Sequence, residues 1–436
     1  MTEWLGRTLD DRCTRWVAGL LFLLMTVALW IGFSVDTYFA SDGANYFVTI
    51  IDEARFTAIA PARAHAEYLS QWPLVLAVKC GVTEIEQLEI FFGLGLWFPW
   101  AMGFVISLYA TRENSGLIFL YLLSVACLNL AAWSVFIGEH LVLLSVAWPI
   151  FYFAVIRRPL NLAEQIVTGL LLLAHLRLYE SAVATGTIFA CLFGIRACFS
   201  VDRRERRVSQ VFVFLALASI AIAAYWILFP RDADNRSSFL RVMVDSLDHP
   251  YPRIGFWFIV FTTVGLLFRF RILALASLVF PLVIVWQSWF DSGISALLAF
   301  STRTLSLSAL PLLLGVALLS QLSGFRVTRF QAVSLTIVVT SISLLHVRHL
   351  QAWVEFRSRF IAVVQTEVGF VDPDDHEGLV HWGWTNPLLS YLWSDGEVRA
   401  IVLSPYPEGY HPFDPRREVV MEKYLRVSPG FVKNDR

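Results

Sequence analysis

The stretch Asp36–Gly81 reads DTYFASDGANYFVTIIDEARFTAIAPARAHAEYLSQWPLVLAVKCG. It lies between the first long apolar run of the chain and the second. It is too polar to span a bilayer and too patterned for a slack linker. Asp36, Asp42, Asp52 and Glu53 fall in its first half. From Tyr46 the apolar residues Phe47, Ile50, Ile51 and Ala54 recur at helical spacing, with charged residues between them. A break follows at Ala60-Pro61-Ala62, and a second amphipathic segment covers about 64–78 with Trp72 and Pro73 inside it. Two such helices beside a membrane are expected to lie in the interface, apolar faces down and carboxylates towards water.

Outward from this stretch the chain is apolar. Of its 436 residues, 57% are hydrophobic and only 16% charged, where a soluble domain carries about a quarter. Runs long enough to cross a bilayer recur, so the class is an all-α polytopic membrane protein. We place eleven spans, at about 16–34, 88–110, 117–134, 141–156, 162–176, 182–197, 211–229, 254–268, 272–289, 305–322 and 330–345. Arg7, Arg12 and Arg15 precede the first run and no small-residue cleavage site follows it, which predicts a retained helix. Arginines such as Arg112, Arg157, Arg158, Arg203, Arg204, Arg269 and Arg326 collect in alternate loops. Their asymmetry predicts a cytoplasmic N-terminus. An odd count then puts residues 346–436 outside. That segment is a small extracytoplasmic α/β domain beside a transmembrane domain, 1–345, whose first outer loop covers 35–87. Within it, Val398–Leu403 reads as a buried strand.

The composition excludes several classes. No basic stripe suggests nucleic acid, and no phosphate-binding glycine loop suggests an ATP-driven pump. The five cysteines form neither a CxxC pair nor a cluster with histidine, so no zinc site is expected.

On this topology carboxylates, histidines and arginines meet on the outer side. Asp42 and Tyr46 lie in the first outer loop, Glu139-His140 close the second, and His175, Arg177 and Glu180 end the fifth span. Arg303 begins the tenth span. Ionisable groups at membrane depth usually face a cavity or a partner. An acid among them can act as general base, and arginine suits a phosphate through its planar fork. A carboxylate pair could also hold a divalent cation, Mg or Mn, against a phosphate. Plainer readings stand beside these. Asp42-Gly43 is also a turn dipeptide, Glu139 also suits a helix N-terminus, and His175 and Arg177 also suit interfacial snorkelling. Arg303 could simply pair with Asp291.

The layout resembles the GT-C superfamily of polyprenyl-phosphate-sugar-dependent membrane glycosyltransferases. That pattern is a first span, a long outer loop with an acidic motif near its start, two juxtamembrane helices and further spans. The motif is typically Asp-Glu with a tyrosine a few residues on. Here it is Asp42-Gly43-Ala44-Asn45-Tyr46, with Gly43 where the second acid is common. The resemblance implies that Asp42 is the catalytic base of an inverting transfer from a lipid-linked sugar to a glycan, lipid or protein acceptor. It also implies work on the outer face of a bacterial plasma membrane, in cell-envelope polysaccharide assembly. In that setting Arg177 and Arg303 are candidates to meet the leaving phosphate, with Glu139, His140, His175 and Glu180 lining the cavity. A non-catalytic assembly subunit on the same scaffold and a lipid or glycan transporter are the alternatives.

Overall fold

The computed structural model describes residues 9–40, 43–58, 63–128, 139–156, 158–229, 310, 314–315, 318, 328–376, 379, 386–394, 397–403 and 426–427. The expected spans at 254–268 and 272–289, and most of 305–322, lie outside these residues, as do Asp42 and Arg303. Among the described residues the fold is mostly helical.

α1 covers Asp11–Phe33 and starts on Asp10, whose carboxylate accepts the Cys13 N–H at 2.7 Å. This satisfies one of the donors a helix start leaves open. One face of α1 is buried through Ala18, Leu21, Met25 and Leu29. The opposite face is also apolar and is exposed: Trp16, Leu20, Leu23, Val27 and Ile31. A helix apolar all round, with half of it uncovered, suits a lipid surround. Among the described residues five helices are long and apolar enough to cross a membrane, α1 being one.

After a 3-10 turn at Thr37–Phe39, α2 covers Gly43–Glu53 and α3 covers Ala64–Lys79. The two amphipathic helices read from the sequence are therefore present with nearly the expected limits. α4, Ile85–Ala110, is the second long apolar helix. α5 (Ile118–Leu128), α6 (Glu139–Val155), α7 (Leu162–His175), α8 (Ala182–Phe199) and α9 (Arg203–Leu228) follow. α7, with 14 residues, is shorter than a full crossing; the stretch 129–138 between α5 and α6 lies outside the described residues.

Two close approaches set the positions of these helices. A Cβ on Gly95 of α4 would fall 1.9 Å from the Ser70 carbonyl oxygen of α3, and one on Gly103 would fall 2.5 Å from the Ser145 carbonyl oxygen of α6. Small residues let backbones meet where apolar surroundings offer no other drive to association. The aromatic interior around them is hydrogen-bonded. Tyr121 donates to the Trp100 carbonyl at 2.9 Å, Trp148 to the Ser124 hydroxyl at 2.6 Å and Tyr152 to the Leu117 carbonyl at 2.7 Å. No polar end of these rings is left unpaired, as burial demands.

At the far end of α4, charges close the bundle. Glu164, the fourth residue of the Asn161 capping box, has a fully buried side chain. It accepts from Arg112 at 2.9 Å and from Arg158 at 2.6 Å, and Arg158 also reaches Glu113 at 2.6 Å. Arg196 of α8 pairs with Glu205 of α9 and donates to the carbonyls of Ile156 and Arg158.

One element differs from expectation. The span placed at 330–345 is only the first part of α10, which runs unbroken over Arg329–Thr366. Its sequence contains neither glycine nor proline, and a capping box of Thr328 and Gln331 starts it. At 1.5 Å per residue it is roughly 57 Å long, well beyond a hydrocarbon core. Polar residues such as His346 and Arg348 end the hydropathy but not the helix. Beyond it, β1 (Gly369–Val371) pairs in parallel with β3 (Ala400–Val402), with α11 (Asn386–Leu392) between them in sequence. β2 (Glu397–Val398) pairs in parallel with β4 (Arg426–Val427). β3 is fully buried; the single strand read over Val398–Leu403 is divided between β2 and β3, with Arg399 and Leu403 exposed.

Candidate functional site at the first outer segment

α3 leaves its apolar face outward, as the expected interfacial helix would, but its polar face meets the bundle instead of water. Its exposed stripe is apolar: Tyr68, Trp72 and Leu76, one helical turn apart. Phe56 extends the stripe, with its ring 5.0 Å from that of Tyr68. The polar stripe Arg63, Glu67 and Gln71 points inward. Each of these three has a partner. Glu67 is 2% exposed and accepts the Tyr46 hydroxyl at 2.8 Å. Gln71 exchanges two hydrogen bonds with the backbone of Thr57, at 2.9 and 2.8 Å. Arg63 pairs with Glu180 at 2.9 Å, and its guanidinium lies 4.9 Å from the centroid of the Tyr179 ring. The inward polar face has a simple cause. If the surround is lipid, the apolar face is the one to leave outside, and charges gain by facing one another within the protein.

The site residues foreseen from the sequence divide into three groups. Tyr46 and Glu180 are brought into this arrangement, at its two ends. Arg177 joins through its backbone, whose carbonyl accepts the His65 N–H at 3.1 Å, while the His65 ring meets the Ala174 carbonyl at 3.0 Å. His175 is placed elsewhere. It is fully buried between α7, α8 and α9, with Nε2 2.8 Å from the Thr185 hydroxyl and Nδ1 2.8 Å from that of Ser219. Both ring nitrogens are thus committed to packing, away from any open surface. The helix ends at His175, so the two-residue spacing to Arg177 separates an interior group from a loop. Glu139 and His140 begin α6, and their side chains, like Asp42 and Arg303, lie outside the described residues.

A second cluster sits at the exit from α1. Asp36 pairs with Arg357 of α10 at 2.8 Å and accepts the Tyr38 hydroxyl at 3.1 Å. Burial pushes the Asp36 carboxyl above the ordinary aspartate value, against the pull of the Arg357 guanidinium. The Glu89 carboxylate, in the first turns of α4, acts on the same tyrosine hydroxyl. Among the described residues no group of three His, Cys, Asp or Glu side chains converges as a metal-ligand set.

No known protein-family profile, curated protein or solved structure matches the chain.

Arg63, Glu67, Gln71 and Arg357 are the members that sequence reading missed. The first three were legible in principle, since 63, 67 and 71 repeat every four residues opposite the apolar 68, 72 and 76. Arg357 carried no such pattern.

Proposed function

We propose that the chain is an inverting membrane glycosyltransferase. It takes a sugar from a polyprenyl-phosphate donor and works on the extracytoplasmic face of a bacterial plasma membrane. On this reading it crosses the membrane eleven times, with the N-terminus inside and the C-terminal segment outside. The observation that carries it is the orientation of α3. Directly after the first span, charged and amide side chains face inward behind an aromatic stripe that faces out. A lipid-linked substrate needs such a site, polar within and bounded by apolar surface.

Asp42 is the proposed base. It deprotonates an acceptor hydroxyl, which attacks the anomeric carbon as the bond to the phosphate breaks. Tyr46, four residues on, is anchored by Glu67 and steadies the segment. Negative charge developing on the leaving phosphate needs a cation where water is scarce. Arg177 and Arg303 are the assigned partners, because the planar guanidinium fork suits a phosphate. The acceptor is a cell-envelope glycan, lipid or protein.

The test is transfer of radiolabelled sugar from a polyprenyl phosphate by the purified chain in vesicles. Asp42→Asn should abolish transfer while leaving the folded yield unchanged, since it keeps the shape and removes the proton acceptor. Normal turnover by that variant would demote Asp42 to a turn residue. No transfer by the unaltered chain from any donor sugar would favour an assembly subunit.

A further inference from the structure

The segment that leads to the acidic motif leaves α1 through an unusual residue. Asp36 has φ 62° and ψ 28°, in the left-handed region. Non-glycine residues rarely adopt it, and aspartate does so only with local support. An aspartate at the start of a helical turn ordinarily caps it. Asp36 makes no such bond to the turn that follows. Its carboxylate instead reaches across to Arg357, with Tyr38 as second donor. The residue before it is held the same way: the Val35 carbonyl accepts the indole N–H of Trp353 at 2.6 Å.

Trp353 and Arg357 are one helical turn apart on α10, so one face of that helix grips two consecutive residues of the exit. The grip is backed from beyond. Trp393, which follows α11, packs against Trp353, Phe356 and Phe360 with ring centroids 5.4–6.3 Å apart. The Arg357 guanidinium lies 5.8 Å from the centroid of the Trp393 ring. On the other side, Tyr38 and Phe39 pass the hold on to α2, through the contact of Phe39 with Phe47 at 5.1 Å. Residues 35–39 are therefore clamped between α10, with the C-terminal unit behind it, and the body of the bundle.

We propose that Arg357 is a positioning residue for residues 35–39, where the first outer segment leaves α1, and that through it the C-terminal unit sets the arrangement of the candidate site. This rests on reading that segment as the site. An ion pair serving only general stability would need neither a left-handed backbone at Asp36 nor a second hydrogen bond to the adjacent carbonyl.

The experiment uses the full chain in detergent and then in vesicles. Hydrogen exchange should rise about tenfold over residues 36–56 in Arg357→Ala, with α8 and α9 unchanged. Arg357→Lys, which keeps the charge and guards against a folding failure, should give an intermediate rise. Asp36→Asn should match Arg357→Ala, and the double variant should be no worse than either, because both remove one interaction. In the transfer assay Arg357→Ala should lose about tenfold in kcat with donor KM nearly unchanged. Wild-type exchange over 36–56 in both single variants overturns the proposal. So does a uniform rise over the whole chain, or a loss of turnover without any change in exchange. The expected exchange pattern in a chain that transfers no sugar at all supports the clamp and refutes the glycosyltransferase reading instead.

Discussion

Gly95→Ala tests the contact that places α3. The added Cβ would stand 1.9 Å from the Ser70 carbonyl oxygen, and real Cβ contacts do not fall below 3.0 Å, so the two helices must part by about 1.1 Å. Neither partner can swing aside, because the oxygen belongs to the α3 backbone and the Cβ to that of α4. Pro73, whose ring would lie 3.2 Å from the same Cβ, stiffens the α3 side. A displacement of Glu67 by that amount along its 2.8 Å bond to Tyr46 would carry it past hydrogen-bonding range. Overpacking costs roughly 1–3 kcal/mol and the lost buried bond about 1 kcal/mol more. The gain of alanine over glycine in a helix returns about 1 kcal/mol at most. The net expectation is a loss of roughly 1–3 kcal/mol. The assay is thermal unfolding of the full chain in one detergent, followed by size-exclusion chromatography of the soluble fraction. Gly19→Ala is the control, since nothing lies within 4 Å of a Cβ there, and it should be neutral or slightly stabilising. A Gly95→Ala protein that melts with the control would refute the close approach and the placement of α3 built on it.

Glu164→Ala should be among the most damaging single changes at the other end of the bundle. It removes the buried carboxylate shared by Arg112 and Arg158, of which Arg158 keeps Glu113, at a cost of about 1–3 kcal/mol. Wild-type melting would show that solvent already screens this pair of arginines. For Asp36 the sign follows from its raised carboxyl value. The folded chain holds that proton more tightly than the unfolded one, so the contribution favours folding at low pH. It is lost as pH rises from the ordinary 3.8 through the raised value, then stays flat. The stability difference between the unaltered chain and Asp36→Asn should therefore decline with pH over that window, and a rise would contradict the burial of this carboxylate. Arg177→Ala and Arg303→Ala should each weaken use of the polyprenyl-phosphate donor, with lysine restoring only part of it. Unchanged donor KM in both would remove these arginines from the proposed site.

The sequence alone determined what depends on near neighbours. The apolar runs located the helices from α1 to α9 because a backbone in an apolar surround must bond to itself, and a run of that length leaves it little choice. The limits of α2 and α3 were legible for the same kind of reason: periodic apolar residues bracket a proline-containing break at 60–62. Facing was not legible. The pattern Arg63, Glu67, Gln71 against Tyr68, Trp72, Leu76 says that α3 has two faces but not which one meets the bundle. That depends on whether the surround is water or lipid, and on Tyr46 and Glu180 being there to receive the charges. The burial of His175 was hidden similarly, since its partners Thr185 and Ser219 lie on two other helices. The length of α10 exceeded its hydropathy because helix formation needs only the absence of breakers, whereas membrane depth needs apolar side chains. Least legible of all was the hold of Trp353 and Arg357 on Val35 and Asp36, which joins residues more than three hundred positions apart. No local periodicity encodes such a pair: only the packing of α10 against α1 brings the guanidinium to the carboxylate.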